Sequence, residues 1–255
     1  MTAAATPSAA TATADVLLLA ARDTMRGLER SIESGLRGLA AVALGMLVAW
    51  WIYVPIHELL HAAGCLWTGG SVDRLEIAPQ YGGAILARIF PFVVSGGEYA
   101  GRLAGFDTGG SDWVYLATDF APYLLSIFPG VWLLRRGART ASPLLFGLAL
   151  PVALAPFISL PGDAYEIGSL AVTQLPLWSD PAARELVRGD DVFRVAAAIA
   201  KGPAPAAAWV ALGLSLAVGV VWAVATFALG GLVARLAGEG PVPPLQAPVE
   251  GGPGN

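Results

Sequence analysis

Two histidines, His57 and His61, stand four residues apart and are the only histidines in the chain. On a helix this spacing places both imidazoles on one face, where they can share one tetrahedral Zn²⁺. Glu58, one position further round the helix, can reach a water molecule at the metal without binding the metal itself. Zinc makes such a water acidic, and the carboxylate can take up its proton. The His-Glu-x-x-His pattern therefore predicts a zinc site that hydrolyses an amide bond.

The position of this short pattern adds to its weight. A pattern with three fixed residues occurs by chance, but this one directly follows the uncharged apolar run 39–56 and uses both histidines of the chain. Ionisable residues in a membrane helix are costly and usually functional. The alternative interpretation is that His57, Glu58 and His61 are interfacial polar residues that cap the helix end.

A carboxylate is the expected third zinc ligand, because no other histidine exists and the lone Cys65 is disfavoured. The candidates in or near apolar segments are Glu98, Asp119, Asp163 and Glu166. Asp163 is preferred, because it directly follows an apolar run and so lies at the same predicted depth as the histidines. Glu166, three residues further on and on the same helical face, is the alternative ligand.

The sequence around Asp163 predicts an interrupted backbone, since Pro156, Pro161 and Gly162 stand close to it. Non-helical backbone at membrane depth is tolerated where it lines a cavity. A second interpretation of Asp163 is an N-cap for a helix over residues 164–170, and the two roles are compatible.

Composition points to the bilayer as the solvent of this chain. Of its 255 residues 56% are hydrophobic and only 13% are charged, with a mean hydropathy of +0.64. A soluble domain carries about 25% charged residues. The net charge of −4 argues against a nucleic-acid partner, and a single cysteine excludes an internal disulfide. We therefore expect an all-α polytopic membrane protein.

Long apolar stretches predict about four membrane-spanning helices. They cover residues 39–67, 112–134, 143–160 and 206–232. Between the first two, the apolar stretch 84–95 is too short to cross the bilayer, so a re-entrant or hairpin loop is expected there.

The four predicted spans belong to one membrane-embedded core, residues 38–237. An amphipathic helix over residues 16–37 is expected to lie on the membrane surface, or alternatively to pack against the protein as a soluble helix. Residues 1–15 and the Pro/Gly-rich residues 238–255 are predicted to be disordered tails.

Arginines near the predicted spans set the expected orientation. Those that would share one face are Arg22, Arg26, Arg30, Arg37, Arg135, Arg136, Arg139 and Arg235. The sequence therefore predicts that both termini are cytoplasmic and that the histidine site lies toward the outer face.

The element HELLHAAGC in an apolar helix, followed by PFISLPGDAYE, resembles the site-2 protease (M50-type) group of intramembrane zinc metalloproteases. The resemblance covers residues 48–170. In that family the later ligand stands in an Asn/Pro-containing stretch ending Leu-Asp-Gly, whereas here Gly162 precedes Asp163 and no Asn is present. TDFAPYLLS occupies the place of the family's Gly-Pro…Asn element, again without Asn. HELLHA also occurs in poorly characterised membrane zincins.

The resemblance implies an intramembrane endopeptidase with one Zn²⁺ per chain and Glu58 as general base, acting on a membrane protein or peptide. Asp119 would hold the substrate or the oxyanion, with an interhelical hydrogen bond as the alternative. The stretch 82–97 resembles the family's strand-like loop, so Gly82 and Gly83 are candidate substrate contacts by strand addition, or parts of a packing loop. With no folded soluble module, substrate selection would fall to the membrane core, the long loops or an adaptor protein.

Two other classes of function compete with this one. The chain could bind zinc without cutting peptides, acting on a lipid-linked substrate or serving as an inactive scaffold. It could also be a small transporter or structural membrane protein with an accidental motif, in which case no zinc would co-purify.

Overall fold

A computed structural model describes residues 18–175, 181–189, 191–202, 206–240 and 242–243. The predicted N-terminal tail 1–15 and most of the predicted C-terminal tail 238–255 lie outside these residues.

Helices make up most of the described chain. They are α1 (Leu19–Glu33), α2 (Gly35–Trp67), α3 (Gly83–Leu86), α4 (Asp112–Phe120), α5 (Tyr123–Leu125), α6 (Val131–Arg139), α7 (Pro143–Ala153), α8 (Ala155–Ile158), α9 (Asp163–Thr173), α10 (Pro181–Val187), α11 (Val192–Lys201) and α12 (Ala206–Leu236), with a 3-10 turn at Pro79–Tyr81 and a π-helical segment at Ser126–Gly130. The strands are β1 (Ser71–Ile77), β2 (Val93–Ser95) and β3 (Gly101–Asp107). The prediction of a helical fold is confirmed, but an all-α fold is wrong because the chain also contains a small sheet.

Two helices of the described chain are long and apolar enough to cross a membrane. They are α2, with 33 residues, and α12, with 31 residues, and they contain the predicted spans 39–67 and 206–232. Both expose large apolar side chains over much of their length, as lipid-facing helices do. The chain is therefore a membrane protein with at least these two candidate spans.

The other two predicted spans are broken. The segment 112–134 becomes α4 followed by Tyr123–Arg139, and the two parts are bent by 44°. The segment 143–160 becomes α7, of 11 residues, and the short α8. Prolines explain both breaks, because proline lacks an N–H donor and its ring presses on the preceding turn. Pro122 lies at the first break and Pro156 at the second.

Helix α1 turns its apolar face away from the protein. Its apolar residues Met25, Leu28 and Ile32 are 57%, 39% and 55% exposed. Small and polar residues on the opposite face are buried, among them Asp23 and Gly27. The helix ends at Glu33, and α2 begins at Gly35, whose positive φ of 66° allows the turn between them.

A buried ion pair ties α1 to α6. The Arg135 Nε donates to Asp23 Oδ2 at 2.7 Å, and both side chains are 1% exposed. Arg135 also donates to the carbonyl of Glu239, and the Val242 N–H donates to Asp23 Oδ1. Val242 is 1% exposed. Part of the segment predicted as a disordered tail is therefore packed, because the arginine and aspartate satisfy its backbone groups.

The sheet lies between α2 and α4 along the chain and packs on α2. Its order is β2-β1-β3, with β1 antiparallel to β3 and parallel to β2. Leu75 and Ile77 of β1 point to one face, because side chains alternate along a strand, and they form a cluster with Ala62 of α2. Of the glycine-bounded stretch 82–97, only β2 is extended.

Close helix contacts depend on glycines. A Cβ atom added to Gly147 of α7 would lie 2.3 Å from the Val42 carbonyl oxygen of α2, and one added to Gly45 would lie 2.6 Å from the Leu144 oxygen. The two backbones therefore touch, as at small-residue crossings of membrane helices.

We predict that Gly147→Ala destabilises the protein by about 1–3 kcal/mol, because the new methyl group must push α7 away from α2. Gly213→Ala is the matched control, since nothing lies within 4 Å of a Cβ at that exposed position of α12. Thermal unfolding in detergent measures both variants. Equal midpoints for the two variants would contradict the close α2–α7 contact.

Candidate metal centre and cavity

His57 and His61 lie on consecutive turns of α2, which continues through Pro55. Their Nε2 atoms are 3.0 Å apart, and the ring planes are nearly perpendicular at 84°. The helical spacing thus brings both nitrogens to a common point.

Asp163 completes a group of three ligand atoms. Its Oδ2 lies 3.2 Å from His57 Nε2 and 3.6 Å from His61 Nε2. Ligands bound at 2.0–2.1 Å to a tetrahedral Zn²⁺ are about 3.3 Å apart. The three observed separations lie on either side of this distance, so the group has the size that one zinc ion requires.

Hydrogen bonds of the imidazoles orient them for metal binding. His61 Nδ1 lies 2.8 Å from the Thr118 carbonyl oxygen, which can only accept, so Nδ1 carries the proton. In the neutral imidazole of His61, Nε2 is then unprotonated, and its lone pair points toward Asp163. His57 Nδ1 pairs with the Tyr53 hydroxyl at 2.8 Å. Such second partners of metal-binding histidines fix the tautomer and the ring orientation.

The Asp163 carboxylate supports a cation at this point. Its Oδ2 is buried, and its polar neighbours are the two imidazole nitrogens at 3.2 and 3.6 Å. A buried carboxylate is costly unless it is paired, and a metal ion shared with the two imidazoles would compensate for its burial.

Close backbone contacts position these ligands. A Cβ on Gly64 of α2 would lie 2.5 Å from the Ala117 carbonyl oxygen of α4, so α4 comes near enough for Thr118 to reach His61. On the other side, a Cβ on Gly168 of α9 would lie 2.0 Å from the Ser215 oxygen of α12. Helix α9 is thereby held against α12 with Asp163 at its start.

Asp163 is the first residue of α9 and not its N-cap. Gly162 occupies the cap position, and no side chain caps the helix. The N-cap interpretation of Asp163 is therefore wrong, and the interrupted backbone predicted around it is present as the turn between α8 and α9.

Glu58 lies on the wall of the same cavity as His61 and Asp163. Gly101 of β3 contacts it so closely that an added Cβ would lie 2.3 Å from Glu58 Cγ. The edge of the sheet therefore fixes the position of this carboxylate beside the ligand group.

The cavity has a volume of about 630 Å³. It is bounded by α2, β3, α4, α9 and the segment between α10 and α11. Its charged and metal-binding lining residues include Glu58, His61, Asp119, Asp163, Glu166 and Arg188. This volume lies within the range of about 300–1,000 Å³ that is typical of ligand-binding pockets.

The remaining candidates from the sequence lie in different places. Asp119 and Glu166 line the cavity, and Tyr115 donates to Glu166 Oε1 at 2.7 Å, but neither carboxylate belongs to the three-ligand group. Glu98 is exposed. Gly82 and Gly83 do not line the cavity, and Gly83 instead packs on the Ile77 carbonyl oxygen.

Sequence interpretation missed three contributors to the site. Tyr53 stands four residues before His57, so helical spacing alone could have placed it on the same face. The other two could not be found from residue types. The Thr118 carbonyl is a backbone group that every residue has, and the Gly101 contact depends on glycine having no side chain.

Comparisons of the chain with protein-family models, with curated proteins and with solved structures returned no match. The chemical interpretation of the site therefore rests on its own geometry.

We predict about one zinc ion per detergent-purified chain, measured by inductively coupled plasma mass spectrometry. His57→Ala and Asp163→Ala should each lose it, because two ligands hold zinc far more weakly than three. Glu166→Gln is the control that removes a nearby carboxylate outside the group, and it should keep the metal.

Loss of zinc in Glu166→Gln with retention in Asp163→Ala would move the third ligand to Glu166. A wild-type chain without any divalent metal would contradict the metal centre and favour an accidental motif.

Proposed function

We propose that this chain is a zinc-dependent endopeptidase of the membrane that cleaves a membrane-associated protein or peptide. The observation that supports it most strongly is the convergence of His57, His61 and Asp163 into one group of ligand atoms, of which His61 and Asp163 share a cavity wall with Glu58. Two imidazoles and a carboxylate with a nearby glutamate form the donor set of a hydrolytic zinc site.

The residues divide the chemistry between them. His57, His61 and Asp163 would hold a zinc ion, which would supply an acidified water molecule and a polarised substrate carbonyl. Glu58 takes the proton of the attacking water and returns it to the leaving nitrogen as the C–N bond breaks. Gly101 keeps the Glu58 carboxylate in place, and the Tyr53 and Thr118 contacts keep the imidazoles aligned.

Strand β3 is the element that we expect to bind the substrate. It is an edge strand of the sheet, and its residues 101–104 line the cavity next to Glu58. An extended substrate segment can add to such an edge by backbone hydrogen bonds. An extended conformation also exposes the peptide bond, which a helix would shield. This assignment replaces Gly82 and Gly83 as the contact region.

The positions of the arginines support the proposal that both ends of the described chain lie on the same side of the membrane. Arg22 of α1, Arg135 of α6 and Arg235 of α12 line one pocket, and Arg30 donates to the Ala138 carbonyl at 2.7 Å. If this face is cytoplasmic, as arginine bias favours, the chain crosses four times and two of the crossings are the proline-broken segments. The metal centre then lies at the opposite end of α2, toward the outer face.

Within this proposal the resemblance to the site-2 protease group extends to the two ligand-bearing elements, HELLHAAGC and PFISLPGDAYE. The missing Asn residues and the outward orientation set the chain apart from that group. Selection of substrates would rest on the cavity, the loops or an adaptor protein.

We predict that Glu58→Gln lowers cleavage by about 10²–10⁴-fold and leaves the zinc content unchanged, because glutamine cannot accept the proton. Native membranes reconstituted with wild type or variant, followed by mass spectrometry of newly formed peptide termini, measure this without a known substrate. Glu98→Gln, at an exposed position, is the control. Zinc without new termini in the wild type would favour a zinc-binding membrane protein that does not cut peptides.

Gly101→Ala tests the role of the sheet. The added methyl group would lie 2.3 Å from Glu58 Cγ, so the carboxylate must move while the metal ligands stay in place. We expect retained zinc and a fall in cleavage of about 100-fold, the effect of a misplacement near 1 Å. Gly105→Ala on the same strand, whose Cβ would lie 3.2 Å from Arg74 Cβ and would not contact Glu58, is the matched control. Full activity of Gly101→Ala would remove β3 from the site.

A further inference from the structure

Asp119 is a buried carboxylate that the proposed reaction does not use. It lies in α4, is 3% exposed and lines the cavity of the metal centre. Its Oδ2 is buried and has no hydrogen-bond partner among the described residues. Such a group is costly in a membrane protein and is kept where it has a function.

An interhelical hydrogen bond does not explain the buried Oδ2 atom of Asp119. A protonated Asp119 would donate to an acceptor on a neighbouring helix, and an ionised one would accept from a donor. Neither kind of partner is present for Oδ2 in the described part of the chain. The Oδ2 atom therefore lacks a hydrogen-bond partner among the described residues.

The charge of the cavity indicates what the missing partner is. Five carboxylates, those of Glu58, Asp119, Asp163, Glu166 and Asp191, line its wall, and they outweigh the guanidinium group of Arg102 together with the two positive charges of one Zn²⁺. Arg188 also lines the cavity, but it is paired with Asp112 at 2.9 Å. The excess of negative charge favours a cationic group entering from outside.

We propose that Asp119, with Glu166 close to it, forms a subsite for a positively charged group of the substrate next to the scissile bond. The group is an ammonium or guanidinium, supplied by a lysine or arginine side chain or by a free N-terminus. The inference rests on the proposed function, because it names the substrate class of that same site. It explains why the unpartnered carboxylate faces the cavity of the metal centre and is not exposed to lipid.

Peptide hydroxamates test the subsite without a known substrate, since the hydroxamate group binds the zinc ion. One pair of N-acetylated probes differs only in carrying lysine or norleucine beside the hydroxamate. A second pair places the same residues on the other side of the zinc-binding group. A fifth probe carries norleucine with a free amino terminus. Their dissociation constants are measured by calorimetry on the full zinc-loaded chain in detergent.

We expect the lysine probe of one pair, or the free-amine probe, to bind about 10- to 100-fold more tightly than its neutral counterpart, as a charge-assisted contact provides. Asp119→Asn should abolish the preference and keep the affinity for the neutral probe. Asp73→Asn, which removes an exposed aspartate of β1, should keep the preference.

Equal binding of charged and neutral probes by the wild type overturns the subsite and leaves the zinc centre standing. A preference that survives in Asp119→Asn overturns the assignment to this residue. If no hydroxamate binds a chain that holds zinc, the proposed peptidase site fails and the subsite fails with it. The wild-type comparison stands by itself if Asp119→Asn does not fold.

Discussion

The meeting of three ligand atoms from distant parts of the chain is the constraint on which this structure depends. His57 and His61 come from one long helix and Asp163 from the start of another, with ligand atoms 3.0–3.6 Å apart. Gly64 lets α2 pack closely on α4, and Gly168 lets α9 pack closely on α12, so both ligand-bearing helices are held in place. Small residues of this membrane protein therefore allow the close packing that holds polar side chains inside the protein and away from the lipid.

Periodicity and residue type predicted the elements that follow local rules. The apolar runs predicted α2 and α12, and the prolines near Asp163 predicted the interruption before α9. The same rule, applied to Pro122 and Pro156, would have broken the other two predicted spans. The sheet was not predicted, because its partners are separated in sequence and β2 has three residues. Pairing across such distances depends on tertiary packing and leaves no local periodicity.

Chemistry-bearing side chains were easier to identify than their surroundings. The candidate ligands could be identified because the chain has only two histidines and few carboxylates in or near its apolar segments, and Asp163 is one of these carboxylates. Gly82 and Gly83 were placed at the site by resemblance, and the structure puts Gly101 there instead. A glycine that contacts a glutamate across 43 positions cannot be told from any other glycine in the sequence.

The arrangement of the ligand helices also has a consequence for biosynthesis. Helix α2 emerges from the ribosome early, whereas Asp163 emerges some hundred residues later and α9 packs most extensively on α12, the last described helix. The three candidate ligands can therefore reach the observed arrangement only after α12 has been synthesised. If the chain is the peptidase that we propose, its histidines would pass through the insertion machinery before Asp163 joins them, so the order of synthesis would keep the site inactive during insertion.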